Sequence, residues 1–304
     1  MLVFPFKFTT VYAVLVQLVV IATAVAHRSQ DERLRSESLD NEQVASGGNG
    51  GYAATYFEDA SLPEHTVYMP TDPPANLRLP VMLWGNGQCW GDGLAYKDFL
   101  VEAASHGIMI IANGWIKEIP GRSKMVRDTT KNMTYFTDAI DWIRDRAGRE
   151  GSRYATVDAD LLGASGHSCG GLQTIEMRSD KRAKTLASFG YATRESVWAR
   201  DIVVPVGFFV GSLDTSIAMP QIEGAWPELP ETTSAWWGVY PGLDHGGTFN
   251  KPNGGVWAVS FAKWILFTLK GDREAAEYFK GKGAAADGWE VKSKALDAVP
   301  LLTL

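Results

Sequence analysis

Leu161-Leu162-Gly163-Ala164-Ser165-Gly166-His167-Ser168-Cys169-Gly170-Gly171 decides how this chain reads. The apolar start suits a buried strand, and the residues after Gly171 have helical potential, so the stretch predicts strand, sharp turn, helix. In that context the pentapeptide Gly166-His167-Ser168-Cys169-Gly170 (Gly-x-Ser-x-Gly) predicts a nucleophile elbow. The glycines answer a steric demand. The turn strains the serine backbone and crowds the residues two before and two after it, so only small residues fit there. The same rule selects Ser168. A nucleophile at Cys169 or Ser165 would put the bulky His167 ring at a crowded position.

A serine hydroxyl attacks well only when a base takes its proton, and in this topology the partners follow in the order serine, acid, histidine. Of the five histidines, only His245 lies C-terminal to Ser168. It stands in Pro241-Gly242-Leu243-Asp244-His245-Gly246-Gly247, a loop that follows an apolar run ending at Val239-Tyr240. A lone loop histidine is commonly just solvated; the chain order makes His245 the expected base. The acid should follow the preceding strand. Val203–Val210 is a buried-strand pattern leading into Gly211-Ser212-Leu213-Asp214, which selects Asp214. Asp244, adjacent to the base, is expected to order its loop, and Asp201 would sit at the wrong end of the sheet.

Acyl transfer also needs two backbone N–H donors aimed at the developing oxyanion. Cys169, directly after the nucleophile, supplies one; the other is expected from Gly87 or Gln88, in the loop Gly85–Cys89 after the apolar run Val81–Trp84. A plain glycine turn would use the same residues.

With these pieces assembled, the chain from about Leu79 to Leu269 resembles an α/β-hydrolase. It is most similar to the lid-poor branch that holds dienelactone-hydrolase-like proteins, polyester hydrolases and cutinase-like esterases. The matching pieces are the Gly85–Cys89 loop, Ala104-Ser105-His106-Gly107 before the Ile108–Ala112 strand, the Gly166–Gly171 elbow, Gly211–Asp214 and Asp244-His245-Gly246. The resemblance implies nucleophile Ser168, acid Asp214 and base His245, on a mostly parallel sheet with helices on both faces and little or no lid. Two departures stand out. Dienelactone hydrolases use a cysteine nucleophile, which the spacing excludes here. Polyester hydrolases usually place an aromatic residue in the oxyanion loop, where this chain has Gly87-Gln88.

Composition agrees with one ordinary globular domain: 304 residues, 45% hydrophobic and 21% charged. With a formal net charge of −6 and no basic run, the chain is a poor partner for nucleic acid. Lys7, the apolar Val11–Val20 and Ala24-Val25-Ala26 read as a cleavable secretion signal over residues 1–26, so a secreted protein with no stable membrane anchor is expected. Residues 27–51 read as a polar, finally Gly-rich linker or pro-segment, and 52–304 as the catalytic domain.

Secretion changes how the two cysteines read. In an oxidising compartment a pair is usually bridged. The resemblance places Cys89 and Cys169 across the oxyanion site from each other, so a Cys89–Cys169 disulfide is expected to fix that site. The sequon Asn132-Met133-Thr134 marks Asn132 for N-glycosylation.

Apolar runs at Val81–Trp84, Ile108–Ala112, Leu161–Ser165, Thr185–Phe189, Val203–Val210 and Ala235–Tyr240 alternate with helical patterns at Tyr96–Ser105, Thr137–Arg146, Gly171–Arg178 and Val256–Leu269. That alternation predicts a mostly parallel sheet covered on both faces. Tyr52–Phe57 and His65–Met69 predict an antiparallel edge hairpin. The stretch between Phe189 and Ile202 is too short for a helical lid, so an open cleft is expected, rimmed in part by Thr215–Ser234. Of the eleven tryptophans, Trp90, Trp115 and Trp226 fall on predicted loops near the catalytic edge and are candidates for gripping substrate; Trp84, Trp142, Trp257 and Trp264 look like core.

The expected activity is hydrolysis of carboxylic esters, small or polymeric, by a monomeric serine esterase that needs no metal or organic cofactor. A polyester or cutin hydrolase and a peptidase of the same fold are alternatives; the large N-terminal gating domain of such peptidases does not fit in this chain. The alternative of a different class is a non-catalytic secreted binding protein on a hydrolase scaffold.

Overall fold

Alternating side chains along the central strands divide between two apolar cores. Val81, Leu83, Met109, Ile111, Val206, Phe208 and Val210 enter one, while Met82, Trp84, Ile110, Ala112, Phe209 and Trp236 enter the other. Side chains alternate across a strand, so strands apolar on both faces must be covered on both. The structure, a computed structural model, describes residues 47–116 and 129–302, with only the backbone of 129–133. The expected signal, the linker up to residue 46 and the Asn132 side chain lie outside the described residues.

Nine strands form one sheet: β1 (Ala54–Phe57), β2 (His65–Pro70), β3 (Leu79–Gly85), β4 (Met109–Asn113), β5 (Val157–His167), β6 (Leu186–Phe189), β7 (Val206–Gly211), β8 (Ala235–Tyr240) and β9 (Glu290–Lys294). Their spatial order is β1-β2-β4-β3-β5-β6-β7-β8-β9. The strands from β4 to β8 run parallel, and β1, β2 and β9 add antiparallel pairings at the edges. This is an α/β architecture with a mostly parallel sheet, and the edge hairpin forms where the sequence predicts it.

The helices are α1 (Lys97–Ser105), α2 (Thr129–Arg146), α3 (Cys169–Glu176), α4 (Ala218–Ala225), α5 (Gly255–Lys270), α6 (Arg273–Lys280) and α7 (Gly283–Ala286). Phe136, Ile140 and Ile143 of α2, Ile175 of α3 and Ile222 of α4 pack into the first core. Phe99 and Leu100 of α1, Trp257, Phe261 and Trp264 of α5 and Phe279 of α6 pack into the second. After β3 the chain crosses to β4 on one side, and after β5 it proceeds to β6 on the other. The topological switch point therefore lies between the C-terminal ends of β3 and β5, where open α/β sheets bind ligands.

Three local features go beyond the sequence reading. β9 has no apolar run, because Glu290, Val291, Lys292 and Ser293 are exposed at the sheet edge, where charge discourages further pairing. Lys292 also lies over the Trp237 ring, 4.3 Å from its centroid. The stretch expected as rim, Thr215–Ser234, contains α4. The Gly-rich end of the expected linker is tied to α1: the Asn49 N–H donates to Glu102 Oε2 and the Gly50 N–H to Ser105 Oγ, each at 2.8 Å.

Candidate active site

Ser168 stands where β5 turns into α3, with φ 53° and ψ −111°. A non-glycine residue there is strained and is held by its surroundings. The Ser168 N–H donates to the Phe189 carbonyl at 2.9 Å, tying the turn to β6. The glycine rule has a visible cause. A Cβ on Gly166 would overlap the Gly170 carbonyl, and one on Gly170 would overlap the Gly85 carbonyl. The elbow can thus lie flat against the end of β3.

The C-terminal ends of β7 and β8 bring the other two groups together. Asp214, buried after β7, has Oδ2 2.6 Å from Nδ1 of His245 and accepts the Ala218 N–H on Oδ1 at 3.2 Å. Asp244 instead accepts the Gly246 N–H at 2.9 Å, closing a turn within its own loop. Ser168 and His245 are both walls of one cavity of about 190 Å³, lined also by Gly87, Gln88, Trp90, Ala95, Tyr96, His167, Gly246, Phe249 and Asn250. The Ser168 hydroxyl has no hydrogen-bond partner among the described residues.

The loop after β3 faces the elbow, and a disulfide joins Cys89 to Cys169 with their Cα atoms 5.3 Å apart. Gln88 and Cys89 both take positive φ, 54° and 55°. Asn86 fixes this contorted loop from beneath. Its Nδ2 lies 2.8, 2.9 and 2.8 Å from the carbonyls of Trp90, Asp92 and Asn113, and its Oδ1 accepts the Trp84 indole N–H at 3.1 Å.

The Gly87 N–H donates to the Tyr96 hydroxyl at 3.1 Å. Among the described residues, the N–H groups of Gln88 and Cys169 have no acceptor within the protein. The Cys169 N–H opens the first turn of α3, where unpaired donors and the positive end of the helix dipole both favour an anion.

His167, one residue before Ser168, is buried beside the cavity. Its Nδ1 is 2.7 Å from the Tyr96 hydroxyl and its Nε2 2.7 Å from the His245 carbonyl. Desolvation, reinforced by the neighbouring His245, pushes its pKa down to about 4. Burial pushes the Tyr96 hydroxyl up to about 12. Both side chains are therefore neutral near pH 7.

Of the three candidate substrate tryptophans, Trp90 lines the cavity and is 37% exposed. Trp115 and Trp226 are not among its walls. Trp115 is buried next to the Gly91–Asp92 segment, and Trp226 packs on Trp237 with ring centroids 5.7 Å apart. Loop position alone grouped all three; the structure sets Trp90 at this cavity and the other two rings away from it. The sequence reading passed over Asn86, Tyr96, Phe249 and Asn250. A polar residue directly after a buried strand is a signal for Asn86. Tyr96 joins the site through a partner 71 residues away, which no local pattern reports.

Among the described residues, no group of three or more His, Cys, Asp or Glu gathers as a metal site would need, and no helix is long and apolar enough to cross a membrane. No protein-family model matches the chain, and no curated protein matches it in sequence.

Proposed function

We propose that this chain is a serine hydrolase of the α/β-hydrolase type, acting on carboxylic esters at the extracellular side of a secreting cell. The observation that carries the reading is the convergence on one cavity of a serine in strained elbow geometry and a histidine bonded at 2.6 Å to a buried aspartate. Residues held in such conformations cluster at active sites, ligand clamps and switch regions, and the histidine–aspartate pair on the same cavity favours the first.

In this reading His245 Nε2 takes the Ser168 proton as Oγ attacks the ester carbonyl. Asp214 holds the imidazole with Nδ1–H toward its carboxylate and stabilises the cation. The tetrahedral oxyanion sits against the N–H groups of Cys169 and Gln88. Gly87 is set aside because its N–H is committed to Tyr96. Each donor is worth about 3 kcal/mol of barrier. His245 then protonates the leaving alcohol, and water repeats the steps to free the acid and restore Ser168. The cavity is smaller than sites for drug-sized ligands, which start at about 300 Å³. With His167 neutral and no Asp, Glu, Lys or Arg among them, its walls offer no partner for a charged acyl group. Small, uncharged acyl groups fit these walls best.

The experiment is covalent trapping. A fluorophosphonate should label the native protein once, with the adduct mapped by peptide mass spectrometry to Ser168; no adduct on folded protein, or an adduct elsewhere, rejects the assignment.

A further inference from the structure

We propose that His167 and Tyr96 form a positioning strap that ties the oxyanion loop to the main chain of the base His245. This goes beyond the triad and rests on the reading of His245 as the base. The direction of every bond follows from elementary chemistry. The His245 carbonyl can only accept, so His167 Nε2 carries the hydrogen of the 2.7 Å contact. A buried, neutral imidazole has one such hydrogen, which leaves Nδ1 as an acceptor. The Tyr96 hydroxyl keeps its proton and donates it to Nδ1 at 2.7 Å. Its oxygen in turn accepts the Gly87 N–H at 3.1 Å. The result is one directional chain, Gly87 to Tyr96 to His167 to His245, joining the loops after β3 and β8 across the elbow itself.

The chain acts on both sides of the reacting serine. Asp214 orients the His245 ring through Nδ1, and the strap holds the same residue by its main chain. The base loop needs such support, because Gly242, Gly246 and Gly247 lie in it and Gly242 and Gly247 take positive φ. On the other side, the strap occupies the Gly87 N–H and so leaves the next amide, Gln88, to face the cavity. Space is tight: a Cβ on Gly87 would come 2.5 Å from the Tyr96 hydroxyl and 2.8 Å from His167 Nδ1. Gly87 is thus required by the strap. Phe249 closes the third side, with ring centroids 4.7 Å from Tyr96 and 4.9 Å from His167.

The test compares wild type with His167→Phe, His167→Gln and Tyr96→Phe, measuring kcat and KM on p-nitrophenyl butyrate and amide hydrogen exchange across residues 241–250. Phe keeps a ring but donates nothing; Gln retains a terminal N–H able to reach the His245 carbonyl. A displaced base costs up to about 100-fold in rate. His167→Phe should lower kcat by that order with KM within about threefold and speed exchange in the 241–250 loop, and His167→Gln should recover much of both. Tyr96→Phe should shift both readouts in the same direction, and its effect should not add to that of His167→Phe. Unchanged kcat and exchange in His167→Phe, or a raised KM at unchanged kcat, would overturn the strap and leave His167 a pocket wall. If His167→Phe does not fold, Tyr96→Phe decides by the same criteria, since it deletes one hydroxyl and keeps the ring. Wild-type protein without turnover overturns the esterase reading instead, and loop exchange then decides the strap alone.

Discussion

Asp214 Oδ2 lies 2.6 Å from His245 Nδ1, while Asp244, the histidine's neighbour in sequence, turns away to cap its own loop through the Gly246 N–H. Proximity along the chain and proximity in space point to different carboxylates, and substitution separates them. Asp214→Asn should lower kcat on a p-nitrophenyl ester by about 10⁴, because an amide favours the wrong imidazole tautomer. Asp244→Asn keeps an oxygen acceptor for the Gly246 N–H and should stay near wild type. The reverse order would move the acid to Asp244.

The Cys89–Cys169 disulfide joins the residue next to Gln88 to the residue that carries the second unpaired N–H. It closes a span of 80 residues, for which the loop-entropy account gives about 4.5 kcal/mol. A Cys89→Ala, Cys169→Ala protein should lose on the order of that stability in urea unfolding. At temperatures where it remains folded, it should also lose kcat more than KM, as the two donors drift apart. Full kcat in the folded double variant would mean that Asn86 and the elbow hold the donors without the bridge.

The buried imidazoles set an acid limit. Burial pushes both His65 and His167 down to about 4 from an ordinary value of 6.5. Between those values the unfolded chain binds protons that the folded chain refuses, so stability is full above about pH 6.5 and falls as pH drops toward about 4. Each histidine accounts for about 3 kcal/mol across that window. Urea midpoints at pH 7, 5.5 and 4.5 should decline, and His65→Gln should flatten the decline by about half. A flat profile in wild type would contradict the burial of both rings. The lowered carboxyls of Asp59 and Asp180 add their loss only below this range, since their ordinary value is 3.8.

The tryptophans divide by role. Trp90→Ala should leave stability nearly unchanged and alter the ranking of acyl chain lengths, because Trp90 is a half-open wall of the cavity. Trp115→Ala, at a fully packed position, should cost about 3–5 kcal/mol and leave that ranking alone. Swapped phenotypes would relocate the acyl pocket.

Much of this was legible in sequence because the signals are local. Near-continuous apolar runs mark strands buried on both faces, and the Gly166 and Gly170 spacing reports a backbone crowding that is visible at Gly85. Chain order then singled out His245, and the apolar run before Asp214 singled out that carboxylate, which the structure places against the histidine. β9 escaped because an exposed edge strand carries charges in place of an apolar run. Gly87 and Gln88 read alike in sequence because what distinguishes their N–H groups is the Tyr96 hydroxyl, outside their loop. Trp115 and Trp226 lie off this cavity for a related reason: a loop position says nothing of which way a ring packs.

The central claim is best tested by hydrolysis of p-nitrophenyl acetate, butyrate and octanoate by the wild-type protein beside Ser168→Ala. The account predicts turnover that favours the shorter chains and falls by about 10⁴ or more in the variant, with unfolding behaviour unchanged. Equal rates in the two proteins, or no turnover of any ester by folded wild type, would contradict it.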